Sequence, residues 1–249
     1  MVVLARVDRQ PAFVLHRRAY RESSLLLDVL TRDFGRIGLV ARAARASKKG
    51  QGSLLQPFQA LLVSWSGKGE LKTLVSVERS QMLPLVTGER LYSALYLNEL
   101  LVRSLAPADP HLPVFEAYES LLPGLAEDPD HEPLLRNFEL TLLRELGYAL
   151  DLDAEGAGGD CLEPSASYAF DPDTGFVLQP AELDATHAFP GWALLAMGQG
   201  DYSDLRTRRL AKRLLRDALA AAIGERPLRS REYFRPAPAP LSWGSDPER

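Results

Sequence analysis

The spacing of apolar residues changes once along this chain, and that change constrains the fold more than any other feature. In the first 80 residues, short apolar runs alternate with polar positions and are separated by turn residues, as half-buried strands are. After Pro84 the apolar residues recur at helical spacing. The sequence therefore predicts a multidomain α+β protein, with a β domain at 1–80 and a mainly α-helical domain at 81–235.

The β domain is predicted to contain five strands. They are Ala12–Arg17, Ser24–Thr31, Arg36–Arg42, Pro57–Trp65 and Leu71–Arg79. A segment of this size with five antiparallel strands suits a small Greek-key barrel, and the OB-fold is a common barrel of this kind. An SH3-like barrel fits the pattern nearly as well, so the pattern alone indicates a small barrel and leaves its type open.

The second region is predicted to be helical with one irregular insert. One helix begins at Glu132-Pro133 and ends near Gly147, and the last helix runs from about Asp204 to Ile223. Residues 151–182, rich in Asp, Gly, Pro and Ser, are predicted to form a loop with a small hairpin around 171–175. Residues 236–249 bury too little apolar surface to order themselves and are predicted to be a disordered tail.

The net charge of -4 conceals a strong asymmetry along the chain. Residues 1–80 carry 14 Lys and Arg against 6 Asp and Glu, and residues 203–235 carry 10 against 4. Between them, residues 81–202 carry 4 against 21. Because a polyanion responds to the local field rather than to the net charge, two basic regions remain candidates for DNA binding.

Each basic region contains a set of Lys and Arg residues that could contact DNA phosphates. The cations of the barrel region are Arg17, Arg18, Arg21, Arg36, Arg42, Arg45, Lys48 and Lys49. Those of the last helix fall within one arc of its surface and are Arg206, Arg209, Lys212, Arg213 and Arg216. We predict that both sets bind DNA phosphates, while solvated loops and, for the helix, packing against the acidic middle of the chain remain alternatives.

The sequence offers no pattern for catalysis or for metal binding. Its four histidines are scattered, it has one cysteine, Cys161, and it lacks a complete phosphate-binding or dinucleotide-binding loop. We therefore expect no catalytic residues, no metal, no cofactor and no enzymatic activity. No apolar run is long enough for a membrane span, so we expect a cytoplasmic protein without membrane contacts.

Several segments, in order from residue 12 to about residue 235, resemble the RecO recombination mediators, particularly those of enteric-type bacteria. Among them are Ala12-Phe13-Val14-Leu15-His16, Leu55-Gln56-Pro57-Phe58, Gly67-Lys68-Gly69-Glu70-Leu71, Leu146-Gly147-Tyr148 and Leu228-Arg229-Ser230-Arg231-Glu232. The resemblance implies an N-terminal OB-fold, a helical C-terminal domain and a role in recombinational DNA repair without chemistry of its own. It also implies binding of single- and double-stranded DNA, annealing of complementary strands, action with RecR, and help for RecA in replacing the single-strand-binding protein SSB. Such a protein is expected at the nucleoid.

The chain departs from that family's pattern at two places. Glu155 and Gly158 stand roughly where many members have the first pair of a four-cysteine zinc site, so zinc is not expected. Arg42-Ala43-Ala44-Arg45 replaces the family's Lys-Gly-Ala-Arg segment, which keeps both charges and loses the glycine.

The resemblance further implies a receptor for the SSB tail, which is acidic and ends in an aromatic residue. Arg136 and Arg144, on the helix that bears Phe138 and Leu142, are candidates for its cationic rim. Pairing of these arginines with Glu132, Glu139 or Glu145 at helical spacing is an equal alternative. From another functional class, the main alternative for the whole protein is a non-catalytic adaptor whose basic last helix docks on an acidic partner.

Overall fold

The computed structural model describes residues 6–45, 51–156, 159–179, 188–224 and 226–230. The barrel region contains β1 (Arg6–Tyr20), β2 (Ser24–Thr31), β3 (Gly35–Ala41), a short helix α1 (Gln51–Leu54), β4 (Leu61–Ser66) and β5 (Leu71–Arg79). The predicted tail at 236–249 and the predicted DNA-binding residues Lys48 and Lys49 lie outside the described residues.

The five strands close into a barrel in the order β1-β2-β3-β5-β4, and β1 closes it by pairing with β4. All pairings are antiparallel except that of β3 with β5. Alternate side chains such as Val14, Leu27, Leu39 and Trp65 are buried in a core of their own. The barrel is OB-fold-like, which confirms the predicted fold class.

The helical region follows the barrel. It contains α2 (Glu89–Ser104), α3 (Leu112–Glu127), α4 (Glu132–Glu145), α5 (Gly191–Gly198) and α6 (Leu205–Ile223). The end of α4 carries a Schellman cap, because Gly147 has φ +85° and the next amide, of Tyr148, donates to the Leu143 carbonyl at 2.8 Å. At the start of α6, the Asp204 carboxylate accepts from the Thr207 amide at 3.2 Å.

A small sheet lies in the segment predicted to be irregular. β6 (Ser167–Asp171) and β7 (Gly175–Leu178) form the hairpin expected around 171–175, and β8 (Phe189–Pro190) adds a third strand on the other side of β6. Neither β8 nor α5 was predicted. This sheet packs with α5 and α6 around a third core cluster that includes Tyr168 and Phe176.

The barrel and the helices share one hydrophobic cluster. Phe13 of β1 is 1% exposed, and its ring lies 5.5 Å from that of Phe115 and 5.2 Å from that of Tyr118. Asn98 of α2 donates to the Leu15 carbonyl at 2.8 Å and accepts from the Tyr118 hydroxyl at 2.6 Å. The two regions are therefore joined through packed apolar side chains and a buried polar contact.

Candidate nucleic-acid interface

The hairpin of β1 and β2 positions three of the predicted barrel cations, Arg17, Arg18 and Arg21. The two strands pair as far as Tyr20 and Ser24, and residues 21–23 close the turn. Side chains on neighbouring positions of a strand point to opposite faces. Arg17 and Ala19, which pair with the buried residues Leu27 and Leu25, therefore belong to one face of the hairpin, and Tyr20 and Ser24 belong to the other.

A groove of about 570 Å³ lies on the face of Tyr20 and Ser24, and we call it the β5 groove. Its cations are Arg21, Arg42 and Lys72. The groove is completed by Tyr20, Ser23, Ser24, Val40, Ala43, Leu71 and Thr73. Lys72 was not predicted, because it reaches the groove only through the parallel pairing of Leu39 with Lys72 between β3 and β5.

A second groove of about 570 Å³ lies beside α1, and we call it the α1 groove. It takes in Arg17 and Ala19 from one face of the hairpin and Arg18 from the face of Tyr20. Its cations are Arg17, Arg18 and Arg45, of which Arg18 and Arg45 are exposed. The remaining lining residues are Ala19, Leu25, Ala44, Gly52, Ser53 and Gln56. No Asp or Glu is among the residues that line either groove, so both present a positive surface.

The turn that carries Arg42 and Arg45 is held against the tip of the hairpin. The amide of Arg45 donates to the Ser23 carbonyl at 2.9 Å, and its guanidinium donates to the Glu22 carbonyl at 3.3 Å. Ala43, which stands where the resemblance expects glycine, has φ +53°. The turn thus places an alanine in the left-handed conformation that glycine adopts without strain.

Two of the predicted barrel cations have structural partners instead of facing solvent. Arg17 donates to the Gly52 carbonyl at 3.1 Å and so fixes α1 to β1. Arg36 has a side chain only 17% exposed, and it donates to the Leu105 carbonyl and the Asp28 carboxylate, each at 3.1 Å. We therefore leave Arg36 out of the DNA-binding surface proposed below, because its guanidinium is engaged between the barrel and the helical region.

The basic face of α6 lines a different cavity, which we call the α4–α6 cleft. It has a volume of about 760 Å³ and is lined by Arg209, Lys212, Arg213 and Arg216 of α6 and by residues of α2, α4 and the segment before α4. Arg213 lies 4.2 Å from the centre of the Phe189 ring and donates to the Ala188 carbonyl. Arg206, at the start of the same stripe, lies over the Trp192 ring at 5.4 Å and does not line the cleft.

The wall of this cleft contains a buried charged pair. Arg136 and Glu139 of α4 lie 2.9 Å apart with side chains 8% and 1% exposed, and the Tyr96 hydroxyl donates to Glu139 at 2.7 Å. Burial raises the pKa of neighbouring Tyr202 to about 12, with Arg136 lowering it and Glu139 raising it. Tyr202 therefore remains neutral beside the pair at neutral pH.

The proposed rim of Arg136 and Arg144 has to be revised. Phe138 and Leu142 are 2% and 0% exposed and belong to the main core, so they cannot form the apolar floor of an open pocket. Arg144 is exposed and is not among the residues that line the α4–α6 cleft, whereas Arg136 is. Of the alternatives weighed from the sequence, pairing of Arg136 with Glu139 is the one found.

The two basic regions line separate cavities. The β5 and α1 grooves are lined only by residues 17–73, and the α4–α6 cleft is lined only by residues 93–216. In the part of the chain that the structure describes, no group of three or more His, Cys, Asp or Glu side chains is arranged to hold a metal ion. No helix among the described residues is long and apolar enough to cross a membrane.

Comparison with known proteins gives consistent results for both regions. Residues 6–82 match the family described as Recombination protein O N terminal, and residues 86–232 match Recombination protein O C terminal. The chain is 47% identical to a DNA repair protein RecO of Cellvibrio japonicus (strain Ueda107), over 93% of this chain and 98% of the relative. It is 43% identical to the DNA repair protein RecO of Methylococcus capsulatus (strain ATCC 33009 / NCIMB 11132 / Bath), over 93% of this chain and 94% of the relative. It is 46% identical to the DNA repair protein RecO of Stutzerimonas stutzeri (strain A1501), over 90% of this chain and 92% of the relative.

Proposed function

Because the chain belongs to the RecO family of DNA repair proteins, we propose that it is a recombination mediator that binds DNA strands on its barrel and anneals them. A role in DNA repair and recombination follows from the family itself. Annealing, which the family resemblance implies, is proposed for this chain, and it is supported by the two carboxylate-free basic grooves beside the β1–β2 hairpin. Association with the nucleoid would follow from DNA binding.

The grooves suit a phosphate backbone rather than a particular base sequence. Their exposed or groove-lining cations, Arg18, Arg21, Arg42, Arg45 and Lys72, are long side chains that can each neutralise a phosphate. Cations between two strands reduce the repulsion between their phosphates, so complementary bases can pair. This action needs neither a metal nor a catalytic residue, and we propose that the protein has no enzymatic activity.

We infer partners from the same family and from the second basic region. Action with RecR and support of RecA loading on SSB-coated DNA are proposed on the family resemblance. For the SSB tail we move the receptor from Arg144, Phe138 and Leu142 to the α4–α6 cleft. Four α6 cations line one side of this cavity, and Asp130, Glu132 and Glu139 are among the residues that line the rest of it. Its volume of about 760 Å³ can hold a short acidic peptide against the cationic side. The adaptor hypothesis, in which the basic last helix docks on an acidic partner, is supported by this same cleft.

Salt dependence tests the DNA-binding proposal. For binding of a single strand, the slope of log K against log salt should be about -0.7 for each cation that contacts a phosphate, and it reaches about -3 to -4 only if one strand contacts all five cations named above. Charge reversal of Arg42 and Arg45 together should weaken binding to single strands of any sequence and abolish annealing at fixed salt. Unchanged binding and annealing by Arg42→Glu/Arg45→Glu would remove the barrel as the DNA site.

The acidic-tail proposal needs its own variant. Arg136→Ala is a poor choice because it leaves Glu139 buried without its cation. Arg209→Ala/Lys212→Ala removes two exposed cations of the cleft. We expect it to lower the affinity for a fluorescent SSB-tail peptide severalfold and to leave strand annealing intact. Arg226→Ala/Arg229→Ala removes two exposed cations that do not line the cleft, and it serves as the matched control. Equal peptide affinity in both double variants would exclude the cleft.

A further inference from the structure

We propose that the β5 groove and the α1 groove each hold a separate DNA strand, so that one barrel presents two strands to each other across the tip of the β1–β2 hairpin. The proposal rests on the DNA-binding function proposed above and deepens it. It differs from a single path over the barrel, because it assigns a separate strand to each of the two grooves.

The first argument is the register of the hairpin. Arg17, Ala19 and Leu25 share one face and line the α1 groove, whereas Tyr20 and Ser24 lie on the other face and line the β5 groove. β3 continues the same division, since Val40, the partner of Leu26, lines the β5 groove. Arg18 pairs with Leu26 and so begins on the face of Tyr20, but it lines the α1 groove. Near the tip the two grooves are therefore divided along the chain, with residues 17–19 in the α1 groove and residues 20, 21, 23 and 24 in the β5 groove.

The second argument is that the grooves share no lining residue and each has its own cations. Arg18 and Arg45 serve the α1 groove, and Arg21, Arg42 and Lys72 serve the β5 groove. The contacts of Arg45 with the Glu22 and Ser23 carbonyls join the 42–45 turn to the hairpin tip. These contacts lie where the two grooves adjoin, since Arg45 lines the α1 groove and Ser23 lines the β5 groove, and we infer that they keep a strand in one groove from entering the other at this end.

The arrangement explains how a small barrel could assist annealing. Two strands on one continuous cationic surface would compete for the same Arg and Lys side chains. Two strands in separate grooves are neutralised independently, and their bases can meet beyond the short tip formed by residues 21–23. The hairpin then acts as a divider that keeps the two backbones apart while leaving the bases free to pair.

Two double variants test the proposal with the full chain. Arg18→Ala/Arg45→Ala removes cations of the α1 groove, and Arg21→Ala/Arg42→Ala removes cations of the β5 groove. Arg32→Ala/Arg79→Ala, two exposed barrel arginines outside both grooves, is the matched control. All are placed in an Arg209→Ala/Lys212→Ala background, so that strands bound at α6 do not contribute, and circular dichroism verifies that each variant folds.

The readouts are the number of short oligothymidine strands bound per chain at saturation and the annealing rate of a complementary pair. We expect two strands per chain for the background and the control, and one strand for each groove variant. Annealing should fall roughly tenfold or more in both groove variants and remain within about twofold in the control. For the strand that each variant still binds, the slope of log K against log salt should correspond to the cations of the intact groove, two for the α1 groove and three for the β5 groove.

The proposal is overturned if the background binds one strand per chain, or if either groove variant removes all binding. It is equally overturned if one groove variant anneals as fast as the control. Failure of the underlying DNA-binding function gives a different result, since the background protein would then bind no oligothymidine and anneal nothing.

Discussion

Ala43 shows how a single residue can store strain beside a binding surface. Its φ of +53° places an alanine Cβ in the left-handed region, which costs roughly 1–2 kcal/mol relative to glycine. We expect Ala43→Gly to raise the free energy of unfolding by up to about 1 kcal/mol, because relief of strain exceeds the entropy lost by glycine. Urea unfolding measures the change.

The adjacent alanine provides the control for this substitution. Ala44 is 3% exposed and does not have positive φ, so Ala44→Gly should destabilise the protein instead. If Ala43→Gly and Ala44→Gly both destabilise by similar amounts, the 42–45 turn does not have the strained conformation described above.

Arg36 illustrates a cation whose role is structural. Its guanidinium donates to the Leu105 carbonyl and to Asp28, so Arg36→Ala leaves a partly buried acceptor without its donor. We expect a loss of about 1–3 kcal/mol in the free energy of unfolding. Single-strand affinity of the folded protein should not change.

Arg42→Ala is the matched comparison because Arg42 is exposed and lines the β5 groove. It should change stability by less than about 0.5 kcal/mol and should weaken single-strand binding. A loss of DNA affinity in Arg36→Ala equal to that in Arg42→Ala would return Arg36 to the DNA surface.

At the scale of elements, α2 holds the last described segment of the chain through Glu99. Its carboxylate accepts from the Arg229 amide at 2.9 Å and the Ser230 amide at 2.7 Å. Burial raises the pKa of Glu99, but the hydrogen bonds from Ser230 and Arg229, with the nearby Arg103 charge, outweigh it and hold the pKa below the usual 4.5. The ionised carboxylate is therefore the form that fastens residues 226–230.

The lowered pKa gives a pH dependence of definite sign. The contribution of Glu99 is complete above the ordinary value of 4.5 and is lost as the pH falls below it, through the folded-state pKa. Glu99→Gln should lower the free energy of unfolding by about 1 kcal/mol at pH 7 and by less in acid. A difference between wild type and Glu99→Gln that stays constant from pH 7 to pH 3 would contradict this linkage.

Elements with regular patterns and strong end signals were predictable from the sequence. β2 and β5 have the predicted bounds, and α6 begins after Asp204 and ends before Gly224 as expected. β1 is longer than the predicted strand Ala12–Arg17. Register irregularities after Val7 and Val14 interrupt the alternation of buried and exposed residues, so the sequence pattern did not indicate its full length. The role of Lys72 and the engagement of Arg36 depend on which distant segments become neighbours, and spacing along the chain does not report this.

At the scale of the whole molecule, the shared cluster couples the barrel to the helices. Phe13 extends from β1 into the core built by α2, α3 and α4, so Phe13→Ala leaves a cavity that both regions border. We expect a loss of about 3–5 kcal/mol and a single unfolding transition. In hydrogen exchange, amides of β3 and α4 should lose protection together, whereas separate losses would indicate independent domains.

The barrel and the helical region also meet at Gly35, where the two backbones approach closely. A Cβ on Gly35 would lie 2.0 Å from the Asp109 carbonyl oxygen, and the neighbouring Ala108 amide donates to the Arg36 carbonyl at 2.8 Å. The backbone at residues 35–36 packs directly against the backbone at residues 108–109, so no flexible side chain lies between them to permit movement. The distance between the proposed DNA grooves and the α4–α6 cleft is therefore fixed by this contact, and a partner that binds at both places must span that distance with a flexible segment of its own chain.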